Sequence, residues 1–242
     1  MTPHPLPPSV AVVVPCYNAG ERVLPVAAAL ASMCERVIVV DDGSTDGAIE
    51  ALRDLPILIE RFHKNRGKGH ALVHGCRTAL DDSQVQCVAC VDADGQHDPA
   101  ELPNLYAEFE GKDADFVIGS RQFGGVHVPW RSRFGNEMTI RIAGRVLGRR
   151  LPDTQSGYRL LSRRYLEAEL PHLRGGRYET EMEMLARAVL GGYRVVPVPI
   201  ATLYETGNPS SHFGKLRDSY RIIRTLVSMR RRLQKETQGK VL

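Results

Sequence analysis

The chain has 242 residues, 43% of them hydrophobic and 25% charged, with a net charge of +4, a composition that suits an ordinary globular protein able to bury a sizeable core. No run approaches the roughly 18 apolar residues of a membrane span, and the opening MTPHPLPPSV lacks the basic-then-apolar pattern of a secretory signal, so a cytoplasmic setting is expected. Five cysteines, an odd number, argue for reduced thiols rather than a disulfide framework.

In chain order, residues 1–9 read as a tail and SVAVVVP as the first strand. RVIVVDD, PILIER, VQCVACVD and DFVIGS follow as further short, β-branched strands. Helical spacing lies between them near Glu21–Met33, Asp46–Leu52, Gly67–Ala79 and Pro99–Glu110. Ser44 and Thr45 are placed to satisfy the free amides of the second helix, and Asp98 before Pro99 to cap the fourth. Alternating strands and helices predict an α/β fold with a mostly parallel sheet. Cys87 and Cys90 form a C-x-x-C within the fourth strand. Residues three apart on a strand face opposite sides, so both are expected in the core rather than on zinc.

After Ser120 the rhythm changes. RQFGGVHVPWRSRFGNEM has glycines, a proline and basic residues without periodicity, which predicts a loop leading into a helix over about Asn136–Leu147. DTQSGYRLLS and the acidic RYETEMEMLARAVLGGYRVVPVPI come next. From His212 to Leu242 there are nine Lys or Arg against two Asp or Glu, so the basic character belongs to the end of the chain. There the apolar residues Leu216, Tyr220, Ile223, Leu226, Val227 and Met229 recur at helical spacing beside arginines, as in a helix that lies on an anionic membrane surface or packs on its own domain. The expected division is a domain over 10–213 and a basic amphipathic segment over 214–242.

The polar residues gather where the strands end, which in an open parallel sheet is where ligands bind. The endings are VVVPCYNAGE, VVDDGSTDG, NRGKGHAL after the third strand, DADGQH and GSRQFGG. No G-x-G-x-x-G follows the first strand and no P-loop is present, which excludes the two commonest nucleotide cradles. RGKG offers Gly67, Lys68 and Gly69 at a helix start, a candidate phosphate site. Asp92 and Asp94 should project to one side with Gln96 close behind. At a separation of about 5 Å and an effective dielectric near 20, two such carboxylates repel by roughly 3 kcal/mol, a cost that a divalent cation would offset.

Taken together, Pro-x-Tyr-Asn, Asp-Asp-Gly-Ser-x-Asp-Gly, Asn-x-Gly-Lys-Gly, Asp-Ala-Asp-Gly-Gln-His, Gly-Ser-Arg and Ser-Gly-Tyr-Arg resemble family 2 glycosyltransferases of the GT-A fold. Within that family the chain is most similar to the dolichol-phosphate mannose synthase and polyprenyl-phosphate glycosyltransferase branch. The resemblance implies a Rossmann-like, mostly parallel sheet flanked by helices, and an inverting enzyme that moves a sugar from a nucleotide diphosphate sugar, GDP-mannose or UDP-glucose in type, to a polyprenyl phosphate at the inner face of the membrane. It implies a nucleoside pocket formed by Pro15, Tyr17, Asn18, Asp41 and Asp42, with Lys68 and Ala93 also at the donor. Mg²⁺ or Mn²⁺ would sit on Asp92, Asp94 and Gln96.

Arg121, Arg131 and Arg133 would bind a second phosphate, since guanidinium pairs bidentately with phosphate oxygens. Gln155, Ser156 and Arg159 would belong to the acceptor side, with Lys215 and with His212, which stands where the family usually has lysine. Asp153 is either the general base for a hydroxyl acceptor or a residue that orients the acceptor loop; a phosphate acceptor is already an anion and needs no base. Glu181 and Glu183 match the family's acidic helix start. Two rival readings are transfer to a saccharide or glycolipid hydroxyl, and a nucleotide-sugar or nucleic-acid binding module without catalysis. The intact acid pair and an aromatic content of 6% speak against nucleic acid as a partner.

Overall fold

The computed structural model describes residues 6–121, 140–177, 179–201, 224 and 228. Seven strands form one sheet: β1 (Val10–Cys16), β2 (Arg36–Asp41), β3 (Leu58–Arg61), β4 (Cys87–Cys90), β5 (Phe116–Arg121), β6 (Arg159–Ser162) and β7 (Val195–Ile200). Their order is β3-β2-β1-β4-β6-β5-β7. The pairs β1/β2, β1/β4, β2/β3 and β5/β7 are parallel, as the strand-helix alternation predicts. β6 is wedged antiparallel between β4 and β5. The C-terminal ends of β1 to β5 and β7 therefore share one rim, and β6 starts from that same rim.

Helices α1 (Val23–Met33), α2 (Lys68–Leu80), α3 (Leu102–Gly111), α4 (140–147), α5 (Arg163–Glu169) and α6 (Glu179–Leu190) cover the sheet. Strand alternation sorts the core into two layers. Val13, Ile38, Val40, Val88 and Phe116 pack under α2, α5 and α6, whereas Val12, Val14, Val39, Ala89 and Val117 pack under α1 and α3. Cys87 and Cys90 fall in opposite layers, both buried and reduced, as expected of core residues.

Several local expectations are corrected. The second predicted helix is a short 3-10 stretch, Ala48–Leu52, entered through Gly47 in a left-handed conformation (φ 75°). Gly47 occupies the N-cap position, and Asp46 Oδ1 just before it accepts from the Ala48 amide at 3.1 Å. Ser44 and Thr45 are instead engaged by Asn18. The fourth helix starts as a 3-10 turn at Pro99, with Asp98 accepting from the Ala100 amide as anticipated. β6 and β7 were not expected. β7 carries Pro197 and Pro199, which an interior strand cannot accommodate; it is tolerated because β7 lies at the sheet edge beyond β5. The basic segment over 214–242 lies outside the described residues, apart from residues 224 and 228, which are helical.

Candidate active site

The rim is knitted together before any ligand is considered. Asn18 adopts a left-handed backbone (φ 47°) after β1, a conformation that asparagine tolerates better than most residues. This turns its amide toward Ser44 Oγ, to which it donates at 2.9 Å, while its own side-chain oxygen accepts from the Thr45 amide at 2.8 Å. The loops after β1 and β2 are thus tied to each other. Pro15 is buried within β1, opposite Val40 of β2, and Tyr17 stands exposed at the loop.

Asp41 and Asp42, adjacent in the chain, do different work. Asp41 is fully buried, accepts from the Ser44 amide at 2.8 Å and pairs with Arg61 Nε at 3.0 Å. Arg61 lines a cavity together with Gly43, Ser44, Thr45, Phe62 and His63. Asp42 was expected to line the nucleoside pocket. Its two oxygens instead accept from the amides of Arg66 and Gly67, each at 2.7 Å, so it caps the turn that enters α2.

That cap changes the reading of RGKG. The Gly67 amide is held by Asp42, and the Gly69 amide donates to Gly176 O at 2.9 Å. A Cβ on Gly69 would meet Thr180 Oγ1 at 2.1 Å and one on Gly67 would meet Gly176 O at 2.5 Å. These glycines permit close approach of α6 and the segment just before it; the open phosphate cradle expected at this helix start is not formed.

Lys68 carries the consequence. Its ammonium lies 2.7 Å from Asp92 Oδ1 and 3.0 Å from Glu181 Oε1. Burial pulls its pKa down, but the two carboxylates outweigh this and hold it above the ordinary lysine value. In return Asp92, which burial would raise, is kept below the usual carboxylate range chiefly by the Lys68 charge. Asp94 is different. Burial and the nearby Asp92 charge push its pKa up, and its Oδ1 accepts from the Gln96 amide at 3.0 Å. The expected repulsion is therefore relieved at Asp92 by an internal cation and left standing at Asp94.

These residues fit a hard divalent cation. Asp94 offers carboxylate oxygen whose charge is only partly balanced, with Asp92 beside it. Among the described residues no three His, Cys, Asp or Glu side chains converge into a closed metal cage. Magnesium-like ions are held by one or two carboxylates and complete their shell with substrate phosphates and water. The acid pair is also tightly walled: a Cβ on Gly157 would meet Asp92 Oδ2 at 2.3 Å, so the Ser-Gly-Tyr-Arg motif packs directly on the Asp-Ala-Asp motif. Ala93 is buried between the two carboxylates' positions in the chain. His97, just beyond, is almost fully buried against the Tyr158 ring at 5.6 Å, and burial pushes its pKa down to about 4, so it is neutral.

On the other side of the rim, Arg121 ends β5 and grips Asp153. Nε donates at 2.7 Å to Oδ2 and Nη2 at 3.2 Å to Oδ1. The Arg121 amide adds a contact at 3.3 Å and the Gln155 amide one at 2.9 Å. Arg159 is a correction. It is one of the largest fully buried side chains and donates to the backbone oxygens of Ser156, Thr154 and Glu181. It clamps the 154–156 turn to α6, with its guanidinium spent on backbone oxygens. Ser156 is likewise buried, its Oγ accepting from the Tyr158 amide at 3.2 Å. Arg131, Arg133, His212 and Lys215 lie outside the described residues.

The structure thus brings together Asp92, Asp94, Lys68 and Glu181 as one cluster, and Arg121, Asp153 and Gln155 as another. Sequence reasoning missed Arg61 as a member of the rim and gave His97, the last residue of DADGQH, no role of its own. The signal for Arg61 was a lone basic residue closing the apolar run PILIE; His97 followed directly from the acidic motif.

The family model described as Glycosyl transferase family 2 matches residues 11–170. An uncharacterized glycosyltransferase of Mycobacterium tuberculosis is 34% identical over 217 residues, covering 87% of this chain and 93% of that protein. A polyprenol monophosphomannose synthase of Mycolicibacterium smegmatis is 31% identical over 201 residues, covering 78% of this chain and 75% of that protein. Among solved structures, glucosyl-3-phosphoglycerate synthase from Mycobacterium tuberculosis, in complex with Mn²⁺, UDP-glucose and phosphoglyceric acid, matches with a TM-score of 0.69 at 20% identity, covering 91% of this chain and 79% of that one. This last likeness is one of fold, the GT-A arrangement of a mostly parallel sheet between helices.

Proposed function

We propose that this chain, which belongs to glycosyl transferase family 2, transfers a sugar from a nucleotide diphosphate sugar to a polyprenyl phosphate, with inversion at the anomeric carbon. The observation that carries this reading is the rim itself: a carboxylate pair suited to a divalent cation at Asp92 and Asp94 faces the same edge as a partly exposed guanidinium at Arg121. The similarity to a polyprenol monophosphomannose synthase supports the lipid phosphate as acceptor. GDP-mannose and UDP-glucose are the leading donors: the name of that relative supports mannose as the sugar, and the fold neighbour was crystallised with UDP-glucose.

In this reading Asp41, Tyr17 and Asn18 form the nucleoside side of the site. Asp94, with Asp92 and Gln96 beside it, would hold Mg²⁺ or Mn²⁺; when bound, such an ion neutralises the diphosphate that leaves with the nucleotide. Lys68 keeps Asp92 ionised and is itself held between Asp92 and Glu181. Arg121 receives the acceptor phosphate, and Arg131 and Arg133 extend that anion site. The domain over 10–213 performs the chemistry. The basic segment over 214–242 brings it to the inner face of an anionic membrane.

Calorimetric titration tests the donor half. GDP-mannose, UDP-glucose and UDP-N-acetylglucosamine are titrated with Mn²⁺ into the full chain and into Asp94→Ala. One donor is expected to bind, and to lose at least about 100-fold in affinity without metal or without Asp94, on the scale of a removed charge-assisted contact. If none binds to the folded chain with Mn²⁺ present, the donor reading is wrong.

A further inference from the structure

We propose that Asp153 is a positioning residue that aims Arg121, and that it is not the general base of the reaction; this rests on the transferase reading above and narrows its acceptor to one that arrives as an anion. A base must present an oxygen lone pair to the substrate proton at about 2.6–3.2 Å. Asp153 has none to offer. Oδ2 accepts from Arg121 Nε at 2.7 Å and from the Arg121 amide at 3.3 Å, while Oδ1 accepts from Arg121 Nη2 at 3.2 Å and from the Gln155 amide at 2.9 Å. Two donors on each oxygen exhaust its accepting capacity.

Exposure points the same way. The Asp153 side chain is 0% exposed and that of Arg121 is 19% exposed, so a molecule arriving at the rim meets the guanidinium and not the carboxylate. The contacts also explain the placement. Arg121 is the last residue of β5, and its side chain would be free to follow solvent if nothing held it. Asp153 grips both its backbone and its side chain from a turn 32 residues away, and the Gln155 amide fixes Asp153 in turn. A pre-aimed guanidinium recognises a planar or tetrahedral oxyanion with little ordering cost. The acceptor that matches is a phosphate monoester, whose oxygen attacks the anomeric carbon as the nucleotide diphosphate departs. No proton has to be removed for that bond to form.

The test is steady-state transfer by the full chain, with Mn²⁺, whichever of GDP-mannose and UDP-glucose binds, and undecaprenyl phosphate in detergent. Asp153→Asn, Arg121→Gln and the double variant are compared across pH. The expected result for Asp153→Asn is an acceptor KM raised about tenfold or more, kcat lowered less than tenfold, an unaltered pH profile of kcat, and donor affinity within about twofold of the parent. Arg121→Gln should do the same, and the double variant should be no worse than Arg121→Gln, because Asp153 acts through Arg121. A loss of about 100-fold or more in kcat for Asp153→Asn, with KM unchanged and the acidic limb gone, would overturn the proposal.

If Asp153→Asn alone does not fold, because the fully buried Asp153 position loses its charge pairing with Arg121, the double variant serves. Its kcat should equal that of Arg121→Gln, and a further loss of about 100-fold would sink the idea. If the parent chain ignores undecaprenyl phosphate but glycosylates undecaprenol, the acceptor reading fails, and the same variants measured on that alcohol decide the role of Asp153: retained kcat supports positioning, abolished kcat contradicts it.

Discussion

Two residues show how closely the site is built around its own charges. Gly157 has no side chain because Asp92 fills the space, with Oδ2 2.3 Å from where a Cβ would lie. Gly157→Ala should displace Asp92 from Lys68, lower stability by about 1–3 kcal/mol as an overpacking change, and weaken metal-dependent donor binding; denaturant melts and calorimetry check the two effects separately. His97 is buried and neutral, with its pKa pushed down to about 4 from 6.5. Between those values the unfolded chain binds a proton that the folded chain refuses. Stability of the metal-free protein should therefore be complete above pH 6.5 and fall as pH drops toward 4, by on the order of 3 kcal/mol. Urea midpoints for the parent and His97→Gln should converge at low pH; a parallel decline would mean that other groups govern it. What the sequence made visible at this scale was the identity of the acid pair. The Lys68 contact to Glu181 spans 113 residues and the Arg121 contact to Asp153 spans 32; such pairings depend on the fold and have no local signature.

At the scale of elements, helix α2 is held where it is by contact that only glycine allows. A Cβ on Gly75 would lie 2.4 Å from Val13 Cγ1 and 3.1 Å from Val40 Cγ2. Gly75→Ala should cost about 1–3 kcal/mol by forcing α2 off β1 and β2, yet leave donor affinity unchanged once the folded fraction is accounted for. A large affinity loss at full folding would show that the helix position reaches the site. The strands β1 to β5 and helices α1 to α3 were legible because each repeats an apolar period long enough to recognise. β6 was not. It passes directly into α5, and its first side chain is a buried arginine. β7 was hidden by its prolines. Both gaps follow from tertiary context: Arg159 is stabilised by backbone oxygens of the turn just before it together with that of Glu181, 22 residues on, in α6, and the prolines by an edge position that only the assembled sheet defines.

At the scale of the whole molecule, the charge is divided. From His212 to Leu242 the balance is nine basic against two acidic residues, whereas the rest of the chain holds 23 basic and 26 acidic. No helix among the described residues is long and apolar enough to cross a membrane. If the basic segment over 214–242 meets an anionic membrane as proposed, its association with vesicles should be electrostatic: sedimentation with them should fall steeply between about 0.05 and 0.5 M salt, as the Debye length contracts from over 10 Å to about 4 Å. Binding that ignores salt would point to apolar insertion. The sheet sets the chemistry in the same frame, because six parallel strand ends and the start of one antiparallel strand deliver the acid pair and Arg121 to one rim. The most direct measurement is transfer itself. The full chain is incubated with Mn²⁺ and the nucleotide sugar it binds, together with an equimolar mixture of undecaprenyl phosphate and undecaprenol, and the lipids are read by mass spectrometry. The account predicts one hexose added to the phosphate lipid alone, absent without Mn²⁺ and absent with Asp94→Ala. Hexose on the alcohol, or no glycosylated lipid while the nucleotide sugar is bound, would contradict it.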